Sequence, residues 1–197
     1  MRAYATSDAV IPLKIVISGG FGVGKTTFVG AVSEIRPLRT EETLTAAGIG
    51  TDHLVGIERK TTTTVAMDFG RITLDIPVAG HRVQLQMFGT PGQERFWFMW
   101  DDLAKGAVGA IVLADTRRLE DCFAAVEFYE QRAKPFVVAI NRFDRAHHHT
   151  EQEVRAALRL SPHVPVISCD ARTDASARQV LIALVEHALD HATPRPA

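Results

Sequence analysis

The stretch that decides the fold is short and rich in glycine: Gly19-Gly20-Phe21-Gly22-Val23-Gly24-Lys25-Thr26. It fits the pattern G-x-x-x-x-G-K-[ST], follows an apolar run and opens a segment of helical period. Glycine lets such a loop wind closely around a phosphate, so that backbone N–H groups and the helix N-terminus meet the anion. Lys25 would bridge the outer phosphates, the Thr26 hydroxyl would bind magnesium, and Thr27 completes the predicted binding set. The stretch predicts a phosphate-binding loop, or P-loop.

The rest of the chain alternates between strand-like and helix-like segments. Short apolar runs predict buried strands at residues 13–18, 83–88, 108–115, 136–141 and 164–168, and helical periodicity predicts helices at 25–34, 119–132, 150–158 and 175–188. Residues 65–77 and 81–88 flank a short Val-Ala-Gly connection and should pair antiparallel. This order predicts an α/β P-loop NTPase fold with a mostly parallel six-stranded sheet and one antiparallel edge strand.

Composition limits the classes of partner. The 197 residues are 46% hydrophobic and 23% charged, which fits one domain, predicted at residues 12–191 between flexible ends at 1–11 and 192–197. A formal net charge of -1 offers no basic field for nucleic acid or an anionic membrane. We find no signal peptide, membrane span or lipidation motif. We therefore expect a cytoplasmic protein that reaches a membrane only through a partner.

Two further features of the composition bear on metal and redox chemistry. Cys122 and Cys169 lie in apolar runs without metal-ligand spacing, so we expect buried, reduced thiols. His147, His148 and His149 are adjacent in a polar segment and cannot all point at one ion, which favours a solvated loop over a metal site. Residues 35–60 have weak periodicity and form a connection too long to be idle, so we expect them to be functional and mobile.

Two segments beyond the P-loop carry a resemblance to a known family. Thr61-Thr62-Thr63-Thr64 precedes the hairpin, and Gly89-Thr90-Pro91-Gly92-Gln93-Glu94-Arg95 follows it. This spacing resembles that of Ras-superfamily GTPases, particularly the Rab-like and Arf-like members, and implies a Ras-like three-layer sandwich. The resemblance makes Thr64 the threonine of switch I that binds magnesium and the γ-phosphate. It places Gln93 where the attacking water is oriented and Gly92 beside the phosphate. From the residues alone, a run of four threonines is more often the start of a strand.

A second pair of motifs indicates which base is bound. Asn141-Arg142-Phe143-Asp144 resembles the family's N-K-x-D, in which the aspartate accepts two N–H groups from guanine. Arg142 replaces the usual lysine, and its planar guanidinium still suits stacking on a ring. Asp170-Ala171-Arg172 is similar to the family's S-A-K, whose alanine N–H meets the guanine oxygen, although an ordinary loop is an equal alternative. The resemblance implies GTP and GDP as ligands, with magnesium.

Two departures from the family pattern modify this expectation. Gly89 stands where most relatives carry an aspartate that holds magnesium through water, so Thr26 and Thr64 would hold the cation with the phosphates. With the sequence Thr-Pro-Gly-Gln, this departure resembles the bacterial gliding-polarity and actinobacterial conservon GTPases. Phe21 replaces a glycine that faces the γ-phosphate, so we expect slow intrinsic hydrolysis. Arg59, Lys60 and Arg95 are candidates for a charge supplied in cis, although solvent-exposed cations are the commoner case.

The aromatic run Phe96-Trp97-Phe98-Met99-Trp100 follows Gln93 directly. Five consecutive large side chains cannot share one face of a helix, so part of the run should be exposed. We interpret it as an effector surface that changes with the bound nucleotide, against the alternative that it packs wholly into the domain. The conservon resemblance further implies a roadblock-type partner and a membrane protein similar to a sensor kinase.

Three functional hypotheses remain open at this point. The first is a signalling switch that hydrolyses GTP through Gln93 and rearranges switch I (residues 41–64) and switch II (residues 89–100). The second is a guanine-nucleotide-bound scaffold or inhibitory module that barely turns the nucleotide over. The third is a P-loop kinase or ATPase, which would have no use for Asn141 and Asp144.

Overall fold

The computed structural model describes residues 10–44, 63–76, 81–92, 98–144 and 146–192. Its elements follow in the order β1 Val10–Ser18, α1 Lys25–Val32, β2 Leu38–Leu44, β3 Thr63–Ile76, β4 His81–Gly89, α2 Trp100–Ala104, β5 Ala107–Ala114, a 3-10 helix Leu119–Cys122, α3 Phe123–Gln131, β6 Phe136–Asn141, α4 Glu151–Ala157, β7 Val166–Cys169 and α5 Asp174–Ala192.

The strands form one mixed sheet in the order β2-β3-β4-β1-β5-β6-β7. β1 lies between β4 and β5 and runs parallel to both, and β6 and β7 continue the parallel part of the sheet. β3 runs antiparallel to both of its neighbours, β2 and β4. It was predicted as the edge strand, but β2 forms the described edge and β3 lies one strand inside it. The predicted fold class, a Ras-like α/β P-loop NTPase, is confirmed.

The strand count corrects the prediction, because the described sheet has seven strands where six were expected. The additional strand, β2, lies in the segment 35–60 that the sequence assigned to an irregular connection. Its sequence, LRTEETL, is largely polar and has no apolar run. The strand exists because its backbone pairs with β3 from Leu38↔Phe69 to Leu44↔Thr63, and so covers a sheet edge that would otherwise expose unpaired N–H and C=O groups.

Helices cover both faces of the sheet and bury two separate apolar clusters. On one face, α1 and α5 pack over the sheet, with Phe28, Leu181 and Leu184 fully buried. On the other face, α2, α3 and α4 contribute Trp100, Tyr129 and Val154. The strands between these layers are apolar on both faces, which explains their continuous hydrophobic runs.

The element boundaries depart from the sequence expectations at several ends. Val10 and Ile11, assigned to a flexible N-terminus, belong to β1 and pair with β4, and Ala192 ends α5 instead of opening the tail. The predicted helix 119–132 divides into the 3-10 helix and α3. The short helix α2 was not predicted. At α4, Thr150 and Glu153 form a capping box, which fixes the start of the helix.

The cysteines and the three consecutive histidines lie in opposite environments. Cys122 and Cys169 are both buried and unbridged, as predicted, and burial raises the pKa of each thiol to about 12. The three consecutive histidines are exposed. Within the described residues, no cluster of His, Cys, Asp or Glu is arranged to hold a metal ion, and no helix is both long and apolar enough to cross a membrane.

Candidate nucleotide-binding site

The P-loop connects β1 to α1, as predicted, and its glycines are required by close backbone approaches. Gly19 has φ 135°, and a Cβ on it would lie 2.4 Å from the carbonyl oxygen of Leu113 in β5. Gly24 has φ 104°, and a Cβ there would lie 2.6 Å from Nδ2 of Asn141. Residues that carry a side chain rarely adopt such φ values, so glycine allows the loop to lie close against the sheet.

Replacing Gly24 by alanine should lower the free energy of unfolding by about 1–3 kcal/mol, because the strained φ adds to a clash with Asn141. The matched control is Gly30→Ala in α1. A Cβ at Gly30 meets nothing within 4 Å, so this change should raise stability by about 0.5–1 kcal/mol. Urea unfolding of both variants measures the contrast, and equal effects at the two glycines would contradict the assignment.

Lys25 lies inside the P-loop and is held by its carbonyl groups. Its Nζ donates to the carbonyl oxygens of Gly19 at 2.9 Å and Gly20 at 2.7 Å. Burial lowers the pKa of Lys25 to about 8, and the negative charge of Asp68 opposes that shift. An ammonium group partly stripped of water in a glycine loop is a strong local attraction for phosphate oxygens.

The start of switch II is packed against this lysine. Thr90 donates its backbone N–H to Ile17 at 2.8 Å, and its hydroxyl lies 3.4 Å from Oγ of Ser18, which in turn lies 2.6 Å from the hydroxyl of Tyr129. A Cβ on Gly92 would lie 2.7 Å from Nζ of Lys25. Glycine at position 92 is therefore needed for switch II to approach the P-loop this closely.

The outer side of the P-loop exposes Phe21 and contacts an arginine that the sequence did not single out. The Phe21 side chain is 66% exposed, so its ring faces solvent. Arg118 donates from Nη2 to the backbone carbonyl of Phe21 at 2.9 Å and pairs with Asp121 at 3.6 Å. This arginine follows β5 in sequence, so only the fold brings it to the P-loop.

Asn141 connects the base-reading loop to the P-loop. At the end of β6 it is buried, donates from Nδ2 to the carbonyl of Val23 at 2.9 Å and accepts at Oδ1 from the N–H of Ala171 at 3.0 Å. One side chain thus fixes the P-loop, the end of β6 and the loop after β7 relative to one another. The structure brings these three predicted motifs together.

Asp144 and the loop after β7 lie at the exposed end of this arrangement. Arg172 makes close contacts with Asp170, at 2.9 Å from both Nε and Nη2, and reaches Asp144 at 3.2 Å. The Arg172 guanidinium lowers the pKa of the Asp170 carboxyl. The Asp144 side chain is 82% exposed, so water screens its pairing with Arg172 and the pair adds little stability. A ligand with two N–H groups can therefore replace Arg172 at Asp144 at small cost.

Asp115, which supports the base motif through Arg117, belongs to none of the motifs recognised in the sequence. Asp115 is buried at the end of β5 and accepts from Arg117 at its backbone N–H (3.0 Å), at Nε (2.9 Å) and at Nη2 (2.7 Å). The guanidinium of Arg117 lies over the Phe143 ring, 4.0 Å from its centroid. This stack holds the segment between Asn141 and Asp144. The signal in the sequence was a polar Asp-Thr-Arg at the carboxyl end of a buried strand, where parallel sheets place ligand sites.

Several predicted site residues lie outside the described residues or are described only for their backbone. Gln93, Arg59, Lys60 and Arg95 lie outside the described residues, as do Phe96 and Trp97 of the aromatic run. The backbone of Thr64 belongs to β3 and pairs with Thr43, as expected for a strand start. Its magnesium role stays a prediction.

The described end of the aromatic run divides between surface and core. The Phe98 side chain is 68% exposed, as expected for part of this run. Trp100 is buried edge-on against Phe128, with ring centroids 5.4 Å apart. Trp100 therefore anchors α2, and Phe98 is the described residue of the run that offers an apolar surface.

The residues present fit a nucleotide and a magnesium ion. The glycine loop is a cradle that a Cβ at Gly19 or Gly24 would fill, and the partly buried ammonium of Lys25 supplies positive charge. At the start of α1, the Thr26 hydroxyl donates to the Asp68 carboxylate at 2.5 Å. Hydroxyl and carboxylate oxygens are the ligands that magnesium takes in proteins.

Known proteins with similar sequences point to the same class. The chain is 25% identical to human Ras-related protein Rab-7b over 189 residues, covering 91% of this chain and 83% of that protein. It is 25% identical to Ras-related protein Rab-18 of Lymnaea stagnalis over 187 residues, covering 91% and 81%. An uncharacterised protein of Methanocaldococcus jannaschii is 29% identical over 134 residues, covering 67% and 71%.

These similarities support the Ras superfamily of P-loop NTPases and do not single out the gliding-polarity or conservon branch. Residues 17–191 match the protein family described as conserved hypothetical ATP binding protein, and since the match spans most of the sequence, the chain belongs to that family and is a P-loop nucleotide-binding protein.

Proposed function

We propose that this protein is a guanine-nucleotide switch that binds GTP and GDP with magnesium and slowly hydrolyses GTP. The observation that carries the proposal is the bridge made by Asn141 from Val23 to Ala171. It makes the phosphate loop and the base-reading loop parts of one site, with Asp144 at its open end. A protein that bound only phosphates would have no need of this connection.

The choice of guanine over adenine rests on the donors that Asp144 can accept. Guanine offers N1–H and an exocyclic amine side by side, whereas adenine has no such pair and would leave the carboxylate unpaired. That mismatch costs about 1–3 kcal/mol, or roughly ten- to a hundredfold in affinity. The family description names ATP. Competition between ATP and GTP is therefore part of the test.

In the proposed cycle, the protein's own residues hold the phosphates, the base and the water. Lys25 and the P-loop amides bind the phosphates, and Thr26 and Thr64 would hold magnesium, which neutralises developing charge on the phosphate oxygens. Gln93 would orient the attacking water, one residue beyond the point where Gly92 meets Lys25. The exposed ring of Phe21, within the P-loop, would restrict access to the γ-phosphate.

The test is the nucleotide released on denaturing purified protein, followed by multiple-turnover phosphate release from GTP. Gln93→Ala should slow release by about 10- to 100-fold, because the water loses its orientation. The matched control is Gln131→Ala, which changes an exposed glutamine that bonds Glu127 on α3, and it should hydrolyse GTP at the normal rate. A strong preference for ATP in binding and turnover would overturn the proposal.

A second candidate is a module that holds a guanine nucleotide without turning it over. It is favoured by the exposed ring of Phe21 in the P-loop and by the lack of a carboxylate at Gly89. Retained GTP in the purified protein, with no phosphate release from wild type or Gln93→Ala, would establish this alternative. Co-purified GDP with turnover that depends on Gln93 would exclude it.

The partner surface proposed for the switch is made by residues 41–64 and 89–100. Exposed Phe98 and the covering strand β2 lie in or beside these segments. The resemblance to gliding-polarity and conservon GTPases suggests a bacterial signalling role, with a roadblock-type protein and a membrane sensor kinase-like protein as partners. In this proposal the protein works in the cytoplasm and meets a membrane only through that partner.

A further inference from the structure

We propose that Asp68 on β3 supplies the carboxylate that helps hold magnesium, in place of the aspartate that Gly89 lacks. The inference rests on the proposed function, since it concerns the cation bound with the nucleotide. It assigns a metal role to a residue that no sequence motif marks, and it moves that role from β4 to the neighbouring strand.

The first support is the contact between Asp68 and the magnesium-binding threonine. Thr26 donates its hydroxyl to Oδ2 of Asp68 at 2.5 Å, although 42 residues separate the two in sequence. Asp68 is buried, with 8% of its surface exposed, so the sheet holds the carboxylate away from bulk water. The carboxylate is therefore in place at the junction of the P-loop and α1.

The second support is the space that Gly89 leaves. Asp68 and Gly89 are direct partners in the antiparallel β3–β4 ladder. A Cβ on Gly89 would lie 3.2 Å from Cβ and 3.5 Å from Oδ2 of Asp68. An aspartate at both positions would place two buried carboxylates side by side, which disfavours the charged form of each. One position or the other can supply the carboxylate, and in this chain it is position 68.

The third support is the chemistry of the cation. Magnesium keeps several waters and is commonly bound through one or two carboxylates together with substrate phosphates. A carboxylate hydrogen-bonded to the Thr26 hydroxyl orients that hydroxyl so that its lone pairs remain available to the ion. Because Asp68 lies on a strand paired on both sides, its position is fixed by the sheet.

The experiment measures magnesium binding to the complex with a fluorescent GDP analogue, through the rate of nucleotide release as free magnesium is varied. Asp68→Ala and the isosteric Asp68→Asn should weaken the apparent magnesium affinity by about 10- to 100-fold. Asp75→Asn is the matched control, since Asp75 lies on the same strand, is exposed and pairs with Arg82. It should behave as wild type.

Moving the aspartate from position 68 to position 89 tests whether the carboxylate itself holds magnesium. The double variant Asp68→Gly with Gly89→Asp moves the group across the ladder and should restore magnesium affinity to within about threefold of wild type. Manganese affinity of the GDP complex, measured by electron paramagnetic resonance, gives a second readout independent of hydrolysis. Thermal unfolding of each complex identifies any variant that has lost its fold, in which case Asp68→Asn decides.

The outcomes separate this inference from the proposed function. If wild type binds GDP tightly in a magnesium-dependent way and both Asp68 variants keep wild-type magnesium affinity, the inference is overturned and the switch stands. If wild type binds no guanine nucleotide, or binds it without regard to magnesium, both are overturned. If the Asp68 variants lose magnesium affinity and the double variant recovers it, the inference is supported.

Discussion

Asp144→Asn is expected to exchange guanine for xanthine nucleotides. Asp144 can accept both N–H groups of guanine, whereas an asparagine amide offers one acceptor and one donor. Xanthine keeps N1–H but carries a carbonyl in place of the exocyclic amine, so it complements asparagine. Loss of two charge-assisted hydrogen bonds should weaken GDP binding by about 10²- to 10³-fold, with xanthosine diphosphate becoming the tighter ligand.

Competition titration with a fluorescent nucleotide measures this exchange. The fold should be unaffected, because Asp144 is exposed and its pairing with Arg172 adds little stability. Asp174→Asn is the matched control: this carboxylate is also exposed, pairs with Arg178 at 2.7 Å and lies on α5, away from the base motif. Unchanged GDP affinity in Asp144→Asn would show that Asp144 does not read the base.

Asn141→Ala should have the largest effect on stability among the site variants. The substitution removes the Asn141 amide and leaves its two buried partners, the carbonyl of Val23 and the N–H of Ala171, without a hydrogen bond. Each such loss costs about 1–3 kcal/mol, so the free energy of unfolding should fall by about 2–6 kcal/mol. Nucleotide affinity should fall with it, because the P-loop and the loop after β7 lose their common support.

Denaturant unfolding and GDP titration check both parts. Asn141→Asp is informative, since a carboxylate still accepts from Ala171 but sets a buried oxygen against the Val23 carbonyl, so it should be destabilised at least as much as Asn141→Ala. The neighbouring exposed Arg142, changed to alanine, should shift stability by no more than about 0.5 kcal/mol. Equal destabilisation at positions 141 and 142 would contradict the bridging role.

β2 gives the proposed switch a physical element to move. Thr64 pairs with Thr43 in the β2–β3 ladder. It lies four residues before Asp68 on the same strand, a distance of roughly 13 Å at about 3.3 Å per residue. For Thr64 to reach the cation beside Thr26, this end of the ladder has to open. The pairing therefore represents an arrangement that differs from the one expected with a bound triphosphate.

The sequence located the elements whose signals are local. The glycine pattern, the apolar runs of β1, β5 and β6, and the motif after β6 each lie within about ten consecutive residues, and the structure has them where they were predicted. Buried parallel strands are apolar on both faces, so their runs are continuous and easily recognised. The order of these elements was sufficient to determine the fold class.

Other features depended on contacts between distant parts of the chain. β2 has no hydrophobic pattern, because an edge strand is stabilised by backbone pairing with its neighbour, which no local composition reports. Trp100 and Phe98 belong to the same aromatic run, yet only packing against Phe128 decides which of them is buried. The arginine contact at Phe21 is likewise a product of the fold.

By itself, the sequence determined the P-loop, the base motif and the absence of a carboxylate at Gly89, since these are facts of residue type and spacing. Only the tertiary structure decided which residue lies next to Gly89. Asp68 lies 21 positions earlier in the sequence and reaches Gly89 through the antiparallel register of β3 and β4. Strand register is set by the pairing of whole strands and the burial of one face, so it becomes visible only when both strands are in place.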